Sequence, residues 1–252
     1  MPVIHRPVEA LCSNLIDYAG LFPPAGLVLP AVLDNYERYR ASADGWILNR
    51  LVLPESPLGS VQMRPGWRVS LLVEREPAGP LPAEVETFES KSPGHFSRPT
   101  YVEGADGDLL KVRTGGLTPE SIPSAQQLAD FLCSAAVAKR AFKATAGLHH
   151  AIRAERALTY ESTGPRAVMH GFVNVFIAAA LAWHGDDPDV VLRVLHETDP
   201  GAFGLTDDTL SWHSHTLSVA QVEAARADFA HSFGSCSFEE PVEDLREMGW
   251  LP

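Results

Sequence analysis

The feature that most constrains this chain is an alternation. Short runs of β-branched and aliphatic residues, bounded by Pro or Gly, are followed repeatedly by stretches with helical spacing. Eight runs read as strands: Leu15–Tyr18, Trp46–Leu53, Arg68–Glu74, Tyr101–Glu103, Leu109–Thr114, Ala141–Leu148, Thr209–Trp212 and Ser232–Cys236. The first, fourth and seventh are the weakest. Helices are predicted over Pro30–Ala41, where Val32, Leu33, Tyr36 and Tyr39 share a face, and over 166–184 and 188–197. Two capping boxes, Ser124 with Gln127 and Ser218 with Gln221, each open a further helix. Glu239-Glu240-Pro241 opens the last, with acids at its positive end and Pro in its first turn. Residues 77–99 hold five prolines and two glycines, and predict a long connection with at most one short helix, Ala83–Ser90. Strands separated by helices imply a parallel sheet buried on both faces. Eight units in 252 residues suggest one domain over 1–252, an irregular α/β (β/α)8 TIM-type barrel. An open doubly wound parallel sheet is the alternative.

Composition narrows the partners. With 45% apolar and 21% charged residues the chain is globular in character, and its net charge of −12 argues against nucleic acid or an anionic membrane as partner. No apolar run approaches the ~18 residues of a membrane helix, and Met1–Arg6 lacks the apolar stretch of a secretory signal. Three scattered cysteines, Cys12, Cys133 and Cys236, do not form a disulfide framework. These features predict a cytoplasmic protein whose partner is a small anionic metabolite.

Lysine is scarce: 16 of the 20 basic residues are Arg, and the lysines are Lys91, Lys111, Lys139 and Lys143. Two of these sit in the middle of predicted strands. In a barrel, alternate side chains face the lumen. If Leu110 and Val112 face the helices, Lys111 and Arg113 face inward; if Phe142 faces outward, Lys143 and Thr145 face inward. Three cations on neighbouring strands demand carboxylates or an anionic ligand. One reading is structural: Lys111, Arg113 and Lys143 pair with Asp17, Glu103 or Asp108 and hold the strands in register. The other is chemical. Arg113 lies near a strand C-terminal end, where barrel enzymes carry their chemistry, and Gly115-Gly116 follow as a backbone-rich turn suited to an oxyanion.

The run Lys143-Ala144-Thr145-Ala146-Gly147-Leu148 resembles the strand of the deoxyribose-phosphate aldolase family that carries the Schiff-base lysine, a Lys-x-Ser/Thr-x-Gly pattern followed by an apolar residue. The resemblance covers six residues. It implies a TIM barrel in which Lys143 forms an imine with a carbonyl substrate. That family has a second lysine later in the chain that depresses the nucleophile's pKa, and no Lys follows position 143 here. Lys111 or Arg113, on the preceding strand, is then the candidate neighbouring cation.

His149 and His150 follow this strand directly, and His170 precedes the apolar helix. One of them is a candidate general acid or base, with Asp17 as a second proton-transfer group or cation partner. A divalent metal held by His149, His170, His215 and Cys236 or Glu239 is the alternative. Ser235 and Ser237, flanking Cys236 in a small polar turn, can hydrogen-bond a carboxylate or hydroxyl, and Cys236 is itself a candidate nucleophile. Phe22 with Pro23-Pro24 can wall a pocket.

The sequence therefore predicts a lyase or aldolase-like enzyme without a cofactor, acting on a small anionic carbonyl compound. Lys143, Lys111, His149, His170 and Asp17 are its catalytic candidates, and Arg113, Thr145, Gly115, Gly116, Ser235, Ser237 and Glu103 its substrate contacts. A metal-dependent hydrolase or isomerase using His149, His150 and His170, and a non-catalytic acid- or sugar-binding barrel, are the alternatives. Oligomeric state is not legible.

Overall fold

The apolar runs pair side by side and in parallel until the sheet closes on itself. The computed structural model describes residues 4–56, 58–104 and 107–252. Its central ring contains β1 (Ile16–Tyr18), β2 (Leu48–Pro54), β3 (Val69–Leu72), β4 (Val85–Ser90), β5 (Thr100–Glu103), β6 (Leu109–Arg113), β7 (Phe142–Thr145) and β8 (Ala230–Ser235). Each strand is parallel to its neighbours, and β8 pairs with β1 to close the barrel. Closure excludes the open doubly wound sheet.

The count of eight strands is met with one exchange. Val85–Ser90, expected as part of a loop or short helix, is barrel strand β4. The prolines at 80, 82, 93 and 99 flank this segment and none falls inside it, while Val85, Thr87 and Phe88 suit extended backbone. Thr209–Trp212, expected as a barrel strand, instead pairs antiparallel with Phe203–Leu205 and His215–Ser218 in a separate three-stranded sheet. The predicted helix 166–184 begins only at Phe172, because Arg166–Met169 forms a two-stranded hairpin with Ala154–Ala157.

Helices cover the ring unevenly. After α1 (Arg6–Cys12), α2 (Leu29–Arg40) joins β1 to β2 and α3 (Ala125–Val137) joins β6 to β7. Between β7 and β8 lie α4 (Phe172–His184), α5 (Pro188–His196) and α6 (Val219–Asp228), and α7 (Glu239–Glu247) follows β8. Both predicted capping boxes are formed, at α3 and α6. Helix α4 is apolar all round because it packs against α3, α5 and α6 as well as β8. Phe142, outward on β7, meets the rings of Phe131, Phe176 and Phe229 at 5.5, 6.5 and 5.0 Å between centroids. Among the described residues no α-helix lies between β2 and β6. There the outer face of the sheet is covered by Pro-rich loops, as where Phe96 meets Phe88 edge-on. None of the described helices is long and apolar enough to cross a membrane.

Candidate active site in the barrel lumen

Period-two alternation places the ionisable side chains of five strands in one interior layer. Glu103 on β5, Lys111 on β6, Lys143 on β7 and Ser232 on β8 stand opposite one another in register. Asp17 enters this layer from β1 and Glu89 from β4. Lys143 is buried and held at both ends: its Nζ donates to Asp17 Oδ2 at 2.6 Å and to Glu89 Oε1 at 2.5 Å. Burial alone would strip its proton, but the two carboxylates outweigh it and hold the pKa above the ordinary lysine value. Asp17 is saturated with donors, accepting from Asn49 Nδ2 and the Arg50 amide on Oδ1 and from Lys143 and Ser232 Oγ on Oδ2. Burial pushes Asp17 up, and the charges of Lys143 and Arg50 together with the hydrogen bonds overcome it, so its pKa is held below the usual carboxylate value. Asp17 is therefore a fixed counter-ion for Lys143. An acceptor so fully occupied is a poor proton shuttle, which departs from one of the two roles expected of it.

Lys111 is differently placed. Its Nζ lies 3.8 Å from Glu89 Oε2 and 3.9 Å from Glu103 Oε2, too far for a hydrogen bond to either. Burial is the largest influence on this amine and lowers its pKa; Glu89 and Glu103 raise it, and Lys143 and Arg113 lower it further. The net shift is downward, toward a neutral amine. Glu103 Oε2 is buried without a hydrogen-bond partner, and Glu103 Oε1 accepts from Arg113 Nε at 3.3 Å.

Above this layer opens a cavity of about 1150 Å³. Lys111, Lys143, Glu89 and Glu103 form part of its lining, with Thr145, Gly116 and the half-exposed Arg113 higher up. Phe22, Pro23 and Pro24 wall one side, and the 154–169 hairpin contributes Arg156, Tyr160 and Arg166 to another. Arg156 Nε is buried without a hydrogen-bond partner. The loops after β6 and β7 are locked together beneath the mouth. Gly147 has φ +81°, and a Cβ there would stand 2.6 Å from the Cα of Gly115, whose own Cβ would meet Gly147 just as closely. Thr114 Oγ1 also donates to the Ala146 carbonyl. Gly115 thus serves packing, and Gly116 alone of the pair lines the cavity.

At the rim, His149 Nδ1 lies 2.8 Å from Glu240 Oε2 and His149 Nε2 lies 3.8 Å from Cys236 Sγ. Burial pulls the imidazole down, but its hydrogen bonds to Cys236 and Glu240 and their charges outweigh that, raising it to about 9. His150 is bound to Asp244 at 3.2 Å.

The other nominated residues lie apart. His170 is buried outside the cavity, with Nε2 2.8 Å from the Pro123 carbonyl oxygen, and burial lowers its pKa. It ties α4 to the loop before α3, so its expected proton-transfer role has no access to the lumen. Ser235 Oγ accepts from the Ser237 amide and Ser237 Oγ from the Glu240 amide, so these serines shape the turn carrying Cys236 and do not face the cavity. His215 pairs with Asp186 beside the separate sheet. Of the five nominated metal ligands only His149 and Cys236 are in contact; His170 and His215 lie elsewhere, and Glu239 pairs with Arg38. Among the described residues no group of three or more His, Cys, Asp or Glu side chains is arranged to hold a metal ion.

Sequence reasoning missed Glu89, Glu240 and Tyr160. Glu89 was hidden by the reading of residues 77–99 as a connection, although Val85-Glu86-Thr87-Phe88 carries a strand composition. In the sequence Glu240 looks only like a helix-end charge. No family model matches the chain, and no curated protein or solved structure matches it.

Proposed function

We propose that this protein is an enzyme of imine chemistry, in which Lys111 condenses with the carbonyl group of a small anionic aldehyde or ketone and a carbon–carbon bond is then broken or made. The observation that carries this reading is the contrast between two adjacent buried lysines. Lys143 donates to two carboxylates at 2.5–2.6 Å, whereas Lys111 faces the cavity with no carboxylate within hydrogen-bond reach. A nucleophilic amine needs its lone pair, and desolvation beside a fixed ammonium favours that form. The resemblance around 143–148 gives the nucleophile's role to Lys143; in this reading it passes to Lys111, and Lys143 is the neighbouring cation.

The amine adds to the carbonyl carbon, and the carbinolamine loses water as an acid supplies the departing oxygen's proton. Glu103, with its unpartnered Oε2 3.9 Å from Nζ, is the group suited to move that proton. The iminium then accepts the electron pair of the bond being cleaved. Arg113, Arg156 and Lys91 line the walls above and suit a carboxylate or phosphate on the substrate. Three unpaired thiols suit a reducing compartment, so a cytoplasmic setting belongs to the same reading.

Borohydride reduction in the presence of a panel of small hydroxy-aldehydes and oxo-acids, read by intact mass, tests it. The expected result is a covalent adduct in the native protein and none in Lys111→Met. An adduct that persists in Lys111→Met overturns the assignment. Thermal stabilisation by these compounds with no adduct and no turnover would favour the non-catalytic binding barrel.

A further inference from the structure

The cavity carries a second reactive arrangement, at its rim, that the imine chemistry leaves unused. We propose that Cys236, His149 and Glu240 form a thiol nucleophile that adds reversibly to an aldehyde carbon at the cavity mouth. Three elements bring the groups together: Cys236 follows the last residue of β8, His149 lies in the loop after β7, and Glu240 lies in the first turn of α7. All three open onto the cavity. The order is that of a nucleophile, its base and the group orienting the base: Sγ to Nε2 3.8 Å, Nδ1 to Oε2 2.8 Å. Glu240 accepts from Nδ1, which orients the ring with Nε2 toward the sulfur. The Tyr160 hydroxyl stands 3.9 Å from Sγ, and His150 with Asp244 lies one turn further along α7.

His149 Nε2, 3.8 Å from Sγ, is the group placed to take the thiol proton as sulfur attacks. In the addition, sulfur bonds to the aldehyde carbon, the carbonyl π pair moves to oxygen, and that oxygen takes the proton from His149 Nε2. The product is a hemithioacetal, and reversal needs no further reagent. Cys236 lies four residues beyond Ser232, which is in register through Lys143 with Lys111, so its backbone stands about 13 Å further along the strand direction. The thiol is placed for a second carbonyl fragment, such as the aldehyde released when a bond breaks below. That assignment of ligand rests on the imine reading; the reactive thiol does not.

The test separates the two. Alkylation by iodoacetamide is followed at each cysteine by peptide mass, with Cys12 and Cys133 as internal references in the same chain. Cys133 is the more exposed of the references, so an inert Cys236 would react more slowly than it does. The proposal expects Cys236 to react at pH 7 on the order of ten-fold faster than Cys133, and expects both His149→Gln and Glu240→Gln to slow it. Equal or slower reaction in the native protein, or no response to either variant, overturns the thiol nucleophile. Glycolaldehyde is then added to Lys111→Met, in which no imine forms at that position. Protection of Cys236 from alkylation supports aldehyde capture, and its absence overturns that ligand whatever the fate of Lys111.

Discussion

The two central lysines should respond oppositely to removal. Lys143→Met deletes hydrogen bonds of 2.6 and 2.5 Å and leaves Asp17 and Glu89 buried without their cation. Stripping one partner from a buried ion pair costs about 3–5 kcal/mol, because the remaining charge stays desolvated. At ~2–4 °C per kcal/mol for a domain of this size, the melting temperature should fall by about 10 °C. Lys111→Met removes an amine whose protonated form the site disfavours, while Glu89 keeps Lys143 and Glu103 keeps Arg113. Its cost should lie within about 1 kcal/mol. Urea denaturation at several pH values supplies the check. Asp17 has its pKa lowered on folding, so its contribution is present above the unfolded value of 3.8 and is lost as the pH falls through the folded one. The gap between native protein and Lys143→Met should therefore be full at pH 7 and shrink toward pH 3. Asp17→Asn combined with Lys143→Met should cost less than the sum of the two single changes. Equal stabilities for the two lysine variants, or a gap independent of pH, would refute the reasoning.

Further outcomes follow from the rim and the loops. His149 has its pKa raised from 6.5 to about 9, so its pairing stabilises the fold fully below pH 6.5 and loses that effect as the pH rises through 9. Denaturation of His149→Gln beside the native protein should show a stability gap at pH 6 that closes by pH 10. Gly147→Ala should destabilise by more than about 2 kcal/mol, since a positive φ is compounded by a 2.6 Å approach to Gly115. Gly185→Ala, with positive φ but no atom within 4 Å, should cost only about 1 kcal/mol in the same thermal melts. Glu103→Gln should slow formation of the borohydride-trapped adduct at a stability cost within about 1 kcal/mol, because the Gln Oε1 can still accept from Arg113 Nε and Oε2 has no hydrogen-bond partner to lose.

Local patterns carried the barrel and much of its interior. Alternation around Lys111 and Lys143 was enough to turn both inward, because Leu110, Val112 and Phe142 have no alternative to the helix side. The capping boxes at Ser124 and Ser218 fixed two helix starts, since both partners lie within one turn. Partner identity was less legible. The sequence offered Asp17, Glu103 and Asp108 as carboxylates, but Asp108 is exposed, and Glu89 reaches Lys143 from a strand 54 residues earlier that proline-rich flanks disguise. Distinguishing a hydrogen-bonded lysine from a loosely paired one depends on that residue, so the division of roles was hidden too. The rim triad was obscure for a similar reason: Glu240 satisfies the positive end of α7 equally well whether or not an imidazole stands beside it. His170 misled because a buried histidine bonded to a backbone carbonyl looks, in sequence, like any other histidine.

The account stands on a Lys111 amine that gives up its proton more readily than Lys143 does, and amine reactivity measures that directly. With four lysines in the chain, reductive methylation by formaldehyde across a pH series can be read separately at each peptide. The account predicts that Lys111 becomes reactive at a pH below the ordinary lysine value of about 10.4, while Lys143 stays unmodified throughout the range in which the protein is folded. Methylation of Lys143 ahead of Lys111 would contradict it.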